Sequence, residues 1–256
     1  MNELSRKSEP DTTRRQLLSR NIKTIAVVAA GALAMKLAPA QARPACFLKG
    51  TKIQTVDGER CVEDLAVGDL LPAVFGGVRP IQWVVRFRRN KVDASKQWDN
   101  HARPIRIMKS ALAPNVPHAD LFVTAGHALL LDGVLVTAGN LVNGTTIAPY
   151  AAEEYDELEF FQIKLEAHDV IFAEGAPSET LLRMDESSID YAEYIDKYGP
   201  AKAQDAYCAP IFGNGARSEI SWRAHSAMSR WLGPHKVDLI RERLEQRATE
   251  SRLAAN

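Results

Sequence analysis

Between Phe47 and Arg183 the chain consists of short alternating runs closed by glycine turns, a pattern that leaves few folds open. Thr51-Lys52-Ile53-Gln54-Thr55-Val56 alternates as a half-buried strand does, and Asp57-Gly58 behind it is a hairpin turn signal. Strand and turn then repeat. Val62-Glu63-Asp64-Leu65 leads into Gly68-Asp69, Arg79-Pro80-Ile81-Gln82-Trp83-Val84-Val85 is β-rich, and Pro104-Ile105-Arg106-Ile107 alternates again. Further strands are expected at Leu121-Phe122-Val123-Thr124, at Ala128-Leu129-Leu130-Leu131 before Asp132-Gly133, at Phe160 to Leu165, and at Asp169-Val170-Ile171-Phe172. Such a series predicts a compact all-β domain.

The pattern changes after Arg183. Ser188-Ile189-Asp190-Tyr191-Ala192-Glu193-Tyr194-Ile195 has helical spacing and stops at Gly199-Pro200. Ala201 to Gly215 reads as loop. A final helix is expected from Pro234 to near Leu253, with Val237, Ile240 and Leu244 on one stripe. Residues 184–256 thus form a helical and loop extension, and the last helix is expected to serve surface packing or a partner contact. With 256 residues and 46% hydrophobic content the chain can bury a core. Its 32 basic residues balance 32 acidic ones, so no global field favours nucleic acid.

Residues 1–42 have the layout of an export signal rather than of a folded segment. Thr13-Arg14-Arg15-Gln16-Leu17-Leu18 precedes the apolar stretch Ile25 to Met35, and Ala38-Pro39-Ala40-Gln41-Ala42 follows. This resembles a twin-arginine signal, with cleavage expected after Ala42 and the mature protein periplasmic or secreted. The uncharged run between Lys23 and Lys36 is too short for a bilayer span, which needs roughly 20 apolar residues. No stable membrane span is therefore expected once the signal is removed. Arg43-Pro44-Ala45 before Cys46 lacks the aliphatic residue of a lipoprotein site.

The three cysteines, Cys46, Cys61 and Cys208, are too few for a disulfide-built fold and contain no C-x-x-C pair. Two of them could pair in an oxidising compartment, and a Cys61–Cys208 bond would leave Cys46 free. His101, His118, His225 and His235 sit in polar stretches without metal-ligand spacing and are expected to be solvated.

Taken in order, several stretches resemble the Hint superfamily, the module shared by inteins and hedgehog autoprocessing domains, and most of all its free-standing bacterial branch. They are Cys46 to Thr55, Val62 to Leu70, Arg79 to Val84, Asp120-Leu121-Phe122-Val123-Thr124-Ala125-Gly126-His127, and His168 to Thr180. The resemblance covers residues 46–183 and implies a horseshoe-shaped, pseudo-twofold β domain. It also implies an intramolecular N-to-S acyl shift in which Cys46 attacks the Ala45 carbonyl and the chain's own amino-terminal flank is the substrate. No cofactor or metal is expected. Thr124 would hold the scissile carbonyl or orient the imidazole, and His127 would protonate the departing nitrogen. His168 joins the site on resemblance alone, as a base or oxyanion partner for a second step. Asp169 next to it could fix its tautomer, although strand alternation points the two side chains apart.

Departures from the family pattern bound the outcome. Phe172-Ala173-Glu174-Gly175 stands where an intein has its terminal His-Asn, so splicing is not expected. Trp83-Val84-Val85-Arg86 lacks the sterol-activating aspartate of hedgehog proteins. Two functions stay open: cleavage on the amino side of Cys46, or a non-catalytic exported β module that binds a partner of unknown identity. A peptidase acting on other proteins is disfavoured, because Cys46 precedes a hairpin and not a helix that would lower its pKa.

Overall fold

A computed structural model describes residues 45–93, 96–100, 102–186, 188, 190–200, 206–212 and 234–254. The export signal expected over residues 1–42 and the histidines His101 and His225 lie outside the described residues.

In chain order the elements are β1 (Phe47–Leu48), β2 (Lys52–Thr55), β3 (Gly58–Cys61), β4 (Leu70–Ala73), β5 (Gly77–Pro80), β6 (Trp83–Asn90), β7 (Ile105–Ile107) and β8 (Leu121–Val123). They continue with β9 (Ala128–Leu131), β10 (Val134–Thr137), α1 (Ala138–Leu141), β11 (Ile147–Pro149), β12 (Glu157–Lys164), β13 (Val170–Ala173) and β14 (Ala176–Glu179). The extension adds α2 (Tyr191–Tyr198), β15 (Ile211–Phe212) and α3 (Lys236–Ala254). The fold is all-β with a short helical extension, as the alternation predicts.

One six-stranded sheet runs β11-β7-β8-β1-β12-β6, a seven-stranded sheet runs β15-β10-β9-β14-β13-β2-β3, and β4 pairs with β5. The hairpin signals act as expected. Gly58 opens β3 at φ 112°, and Asp132-Gly133 turns β9 into β10 with φ 51° and 76°, a left-handed pair that matches strand twist. The β-rich run from Arg79 to Val85 is two strands instead of one. Ile81 leaves the ladder to donate to the Asp69 carbonyl at 2.9 Å while accepting from Gly68 N at 2.8 Å. β6 then pairs with β12 along its whole length, from Trp83 opposite Lys164 to Asn90 opposite Glu157.

The extension packs on the β sheets. Val237, Ile240 and Leu244 are buried in the same core as Phe47, Ile53 and Phe161. Arg243 pairs with Asp132 through two hydrogen bonds, and Arg247 donates to the Ser110 carbonyl. The apolar stripe of α3 therefore packs on the chain's own core, the packing role being one of the two expected of it. Tyr194 and Tyr198 of α2 pack edge-on against Trp83. Part of the stretch expected to be loop is a strand: β15 runs parallel to β10, with Ile211 opposite Leu135 and Phe212 opposite Val136.

Among the described residues no helix is long and apolar enough to cross a membrane.

Candidate active site

Alternation along Cys46-Phe47-Leu48 separates two environments. Phe47 enters the main core, whereas Cys46 and Leu48 join a second apolar cluster with Trp98, Leu158 and Phe160. Cys46 is wholly buried. Its Sγ accepts a hydrogen bond from Gln162 Nε2 at 3.2 Å, delivered by β12. Burial pushes the thiol pKa up to about 12, against the opposing pull of the Gln162 and Thr124 hydrogen bonds and of Arg89. The resting group is a protonated thiol.

Thr124 follows the end of β8 and grips Cys46 from two sides. Cys46 N–H, the nitrogen of the Ala45–Cys46 bond, donates to Thr124 Oγ1 at 3.1 Å. Thr124 N–H donates to the Cys46 carbonyl at 3.0 Å. The Thr124 hydroxyl thus accepts from the amide nitrogen of the Ala45–Cys46 bond.

The turn Thr124-Ala125-Gly126-His127 is closed by His127 N–H donating to the Thr124 carbonyl at 3.0 Å. The first amides of α1 lock it further, since amides at a helix start have no intrahelical partner. Ala138 N–H donates to the His127 carbonyl at 2.8 Å and Gly139 N–H to the Ala125 carbonyl at 2.9 Å. A Cβ at Gly139 would stand 3.0 Å from the Ala125 oxygen, so glycine permits this close approach.

His127 is fully buried with its ring 4.4 Å from that of Phe47, and neither ring nitrogen has a hydrogen-bond partner among the described residues. Burial pulls its pKa down to about 4, opposed by the Glu179 charge and the nearby Cys46 carbonyl and reinforced by His168. At neutral pH the ring is uncharged.

His168 is near this group without bonding to Cys46. Its Nε2 faces Glu179 Oε2 at 3.4 Å, and the other carboxylate oxygen of Glu179 accepts from Ala128 N–H at 2.7 Å, next to His127. His168 Nδ1 lies 3.1 Å from Cys208 Sγ and accepts the Cys208 amide, also at 3.1 Å. Asp169 does not orient His168: its carboxylate accepts from Phe75 and Val170 amides and faces Arg79. The partner of the histidine is Glu179, eleven residues on across the β13–β14 hairpin.

Other sequence expectations change in detail. All three cysteines carry free thiols, so Cys61 and Cys208 are not bonded to each other. His118 is not simply solvated, with Nε2 2.6 Å from Glu59 and Nδ1 3.7 Å from Glu174. His235 packs edge-on against Phe212 and accepts the Val237 amide. Glu174 sits at φ 47° in the β13–β14 turn and accepts the Lys52 amide at 2.7 Å. Sequence reading assigns none of Gln162, Glu179 and Cys208 to the site: Gln162 and Cys208 arrive over separations of 116 and 40 residues, and Glu179 meets His168 across a hairpin. Among the described residues no group of three or more His, Cys, Asp or Glu side chains is arranged to hold a metal ion.

Comparison with solved structures returns inteins and an intein-like domain. The gp41-1 intein shares 16% identity at a TM-score of 0.36, covering 53% of this chain and 98% of its own. The DnaB intein from Synechocystis sp. PCC 6803 shares 13% at 0.38, covering 54% of this chain and 99% of its own. The bacterial intein-like domain from Clostridium thermocellum shares 12% at 0.38, over 54% of this chain and 99% of its own. No curated protein matches. A family profile described as Hint domain matches residues 45–185, more than half of the chain. On that match, over the segment that carries Cys46, Thr124, His127 and His168, the chain belongs to the Hint domain family.

Proposed function

We propose that this chain cuts itself between Ala45 and Cys46 by an N-to-S acyl shift. The observation that carries the reading is the two-sided hold of Thr124 on Cys46, because it fixes the amide nitrogen that must depart. Cys46 Sγ adds to the Ala45 carbonyl carbon, the C–N bond breaks, and the acyl group is left on sulfur as a thioester. An amine leaves only if it gains a proton as the bond breaks; the Cys46 thiol releases one proton as its sulfur adds, and neutral His127 takes up that proton and passes it to the departing nitrogen. The depressed pKa suits this task, since an imidazolium that forms in so dry a site gives its proton up readily. Nucleophile and carbonyl already belong to one chain, so the rigid β framework contributes chiefly orientation. Water or an outside thiol or amine then resolves the thioester. Glu174 occupies the β13–β14 turn, where splicing would need an asparagine to cyclise. His168 serves the site through Glu179 and not by contact with Cys46.

In the same reading residues 1–42 export the protein to the periplasm or beyond, residues 46–183 act, and α2, β15 and α3 of the extension brace them. Hydroxylamine and dithiothreitol test the intermediate: each should release a fragment ending at Ala45 from the full chain, and from the Cys46→Ala variant neither should.

One observation favours a second reading, a non-catalytic exported module. The Cys46 thiol is fully buried with a pKa near 12, a poor state for attack. In that case the trapping reagents would release nothing from either chain.

A further inference from the structure

The extension sets a second thiol, Cys208, against His168, and cleavage at Cys46 does not use that thiol. Residues 206–212 dock against the β9–β10 edge: Leu135 N–H donates to the Pro210 carbonyl at 2.8 Å and β15 pairs with β10. That docking lays Tyr207 edge-on to His168 at 5.1 Å and sets Cys208 Sγ 3.1 Å from His168 Nδ1. On the far side of the ring His168 Nε2 meets Glu179 Oε2, and the imidazole is fully buried between them. The Cys208 amide fixes the tautomer. Because N–H donates to Nδ1, that nitrogen carries a lone pair and the ring proton sits on Nε2, directed to the carboxylate. A thiol, an imidazole whose unprotonated nitrogen faces it, and a carboxylate that orients the imidazole are the parts of an assisted nucleophile.

We propose that Cys208, His168 and Glu179 form a second nucleophilic site, distinct from Cys46, that accepts acyl groups from thioesters. Cys208 Sγ adds to the carbonyl carbon of R–CO–S–R′ as its proton passes to the His168 Nδ1 lone pair, which the Cys208 amide releases in the same step. The new S–C bond forms, the C–S–R′ bond breaks, and the departing sulfur takes the proton back from Nδ1. The products are S-acyl Cys208 and R′–SH, with no change of oxidation state. A thioester fits better than an amide, because its leaving group needs no more than the one proton that His168 holds. Glu179 turns the ring and balances the transient imidazolium. Cys208 is partly exposed, so a donor can reach it, whereas Cys46 is sealed. The site does not depend on cleavage at Cys46.

Cys61 provides an internal reference, being partly exposed and bonded to no histidine among the described residues. The full chain is treated briefly with S-phenyl thioacetate, quenched in acid, and each cysteine is read by peptide mass. Cys208 should be acetylated about a hundredfold faster than Cys61, the scale of general-base assistance. His168→Gln should abolish that lead, and Cys208→Ser should remove the adduct. The pH profile of the unaltered protein decides the matter even if His168→Gln fails to fold. Burial, with Asp169 and Glu179 close by, pushes the Cys208 thiol up to about 11. Assisted attack reaches its full rate well below that pH. Equal rates at Cys208 and Cys61, or a Cys208 rate that climbs steadily to its own ionisation, would overturn the proposal.

Discussion

Thr124 holds Cys46 at both ends of one residue, taking its N–H on Oγ1 at 3.1 Å and giving its own N–H to the Cys46 carbonyl at 3.0 Å. Replacing the hydroxyl by a methyl in Thr124→Val leaves the buried Cys46 amide without an acceptor. The expected cost is about 1–3 kcal/mol, read as a lowered urea midpoint, together with loss of self-cleavage. Thr124→Ser keeps the oxygen and should restore cleavage. Equal cleavage in the valine and serine variants would show that the hydroxyl does not position the amide.

The buried neutral His127 makes stability depend on pH in a defined direction. Its folded pKa, about 4, lies below the ordinary 6.5. Between these values the unfolded chain binds a proton that the folded chain refuses, so stability is full above about 6.5 and falls as pH drops toward 4. The whole drop corresponds to on the order of 3 kcal/mol. Urea titrations across this window should show the slope in the native sequence, and His127→Gln should flatten it.

Burial of Cys46 should show in its reactivity. With a pKa near 12, roughly 1 thiol in 10,000 is ionised at pH 8, and Sγ is covered besides. Iodoacetamide added to the folded protein should label Cys61 and Cys208 and spare Cys46, and urea should remove the protection. Rapid labelling of Cys46 in the folded state would place the thiol at the surface.

The β alternation was legible from the residues alone. Ile53 and Thr55 are buried with Lys52 exposed, as the period of two requires, and Asp132-Gly133 makes the turn its composition announces. The core role of α3 was not, because an apolar stripe says that a helix covers something and not what it covers. β10 was missed as a strand in its own right: Val134 to Thr137 is buried at every position, so it shows no alternation. At the site, the T-x-x-H spacing marks Thr124 and His127 because a tight turn joins them in sequence. Gln162 meets Cys46 across 116 residues, and Cys208 meets His168 across 40, through strand pairing that no local pattern encodes.

The helix α3 supplies a stability test. Ile240 and Leu244 are buried against the sheets, while Leu239 is half exposed. Ile240→Ala or Leu244→Ala should each cost about 2–5 kcal/mol by leaving a cavity. Leu239→Ala should stay within about 0.5 kcal/mol of the native sequence in the same urea titration. If the three variants behaved alike, α3 would not belong to the core.

Intact mass of the full-length protein beside its Cys46→Ala variant tests the central proposal most directly. A product that begins at Cys46 is expected from the native sequence and should be missing from the variant. Identical amino termini upstream of Cys46 in both, with no product beginning at Cys46, would contradict self-cleavage.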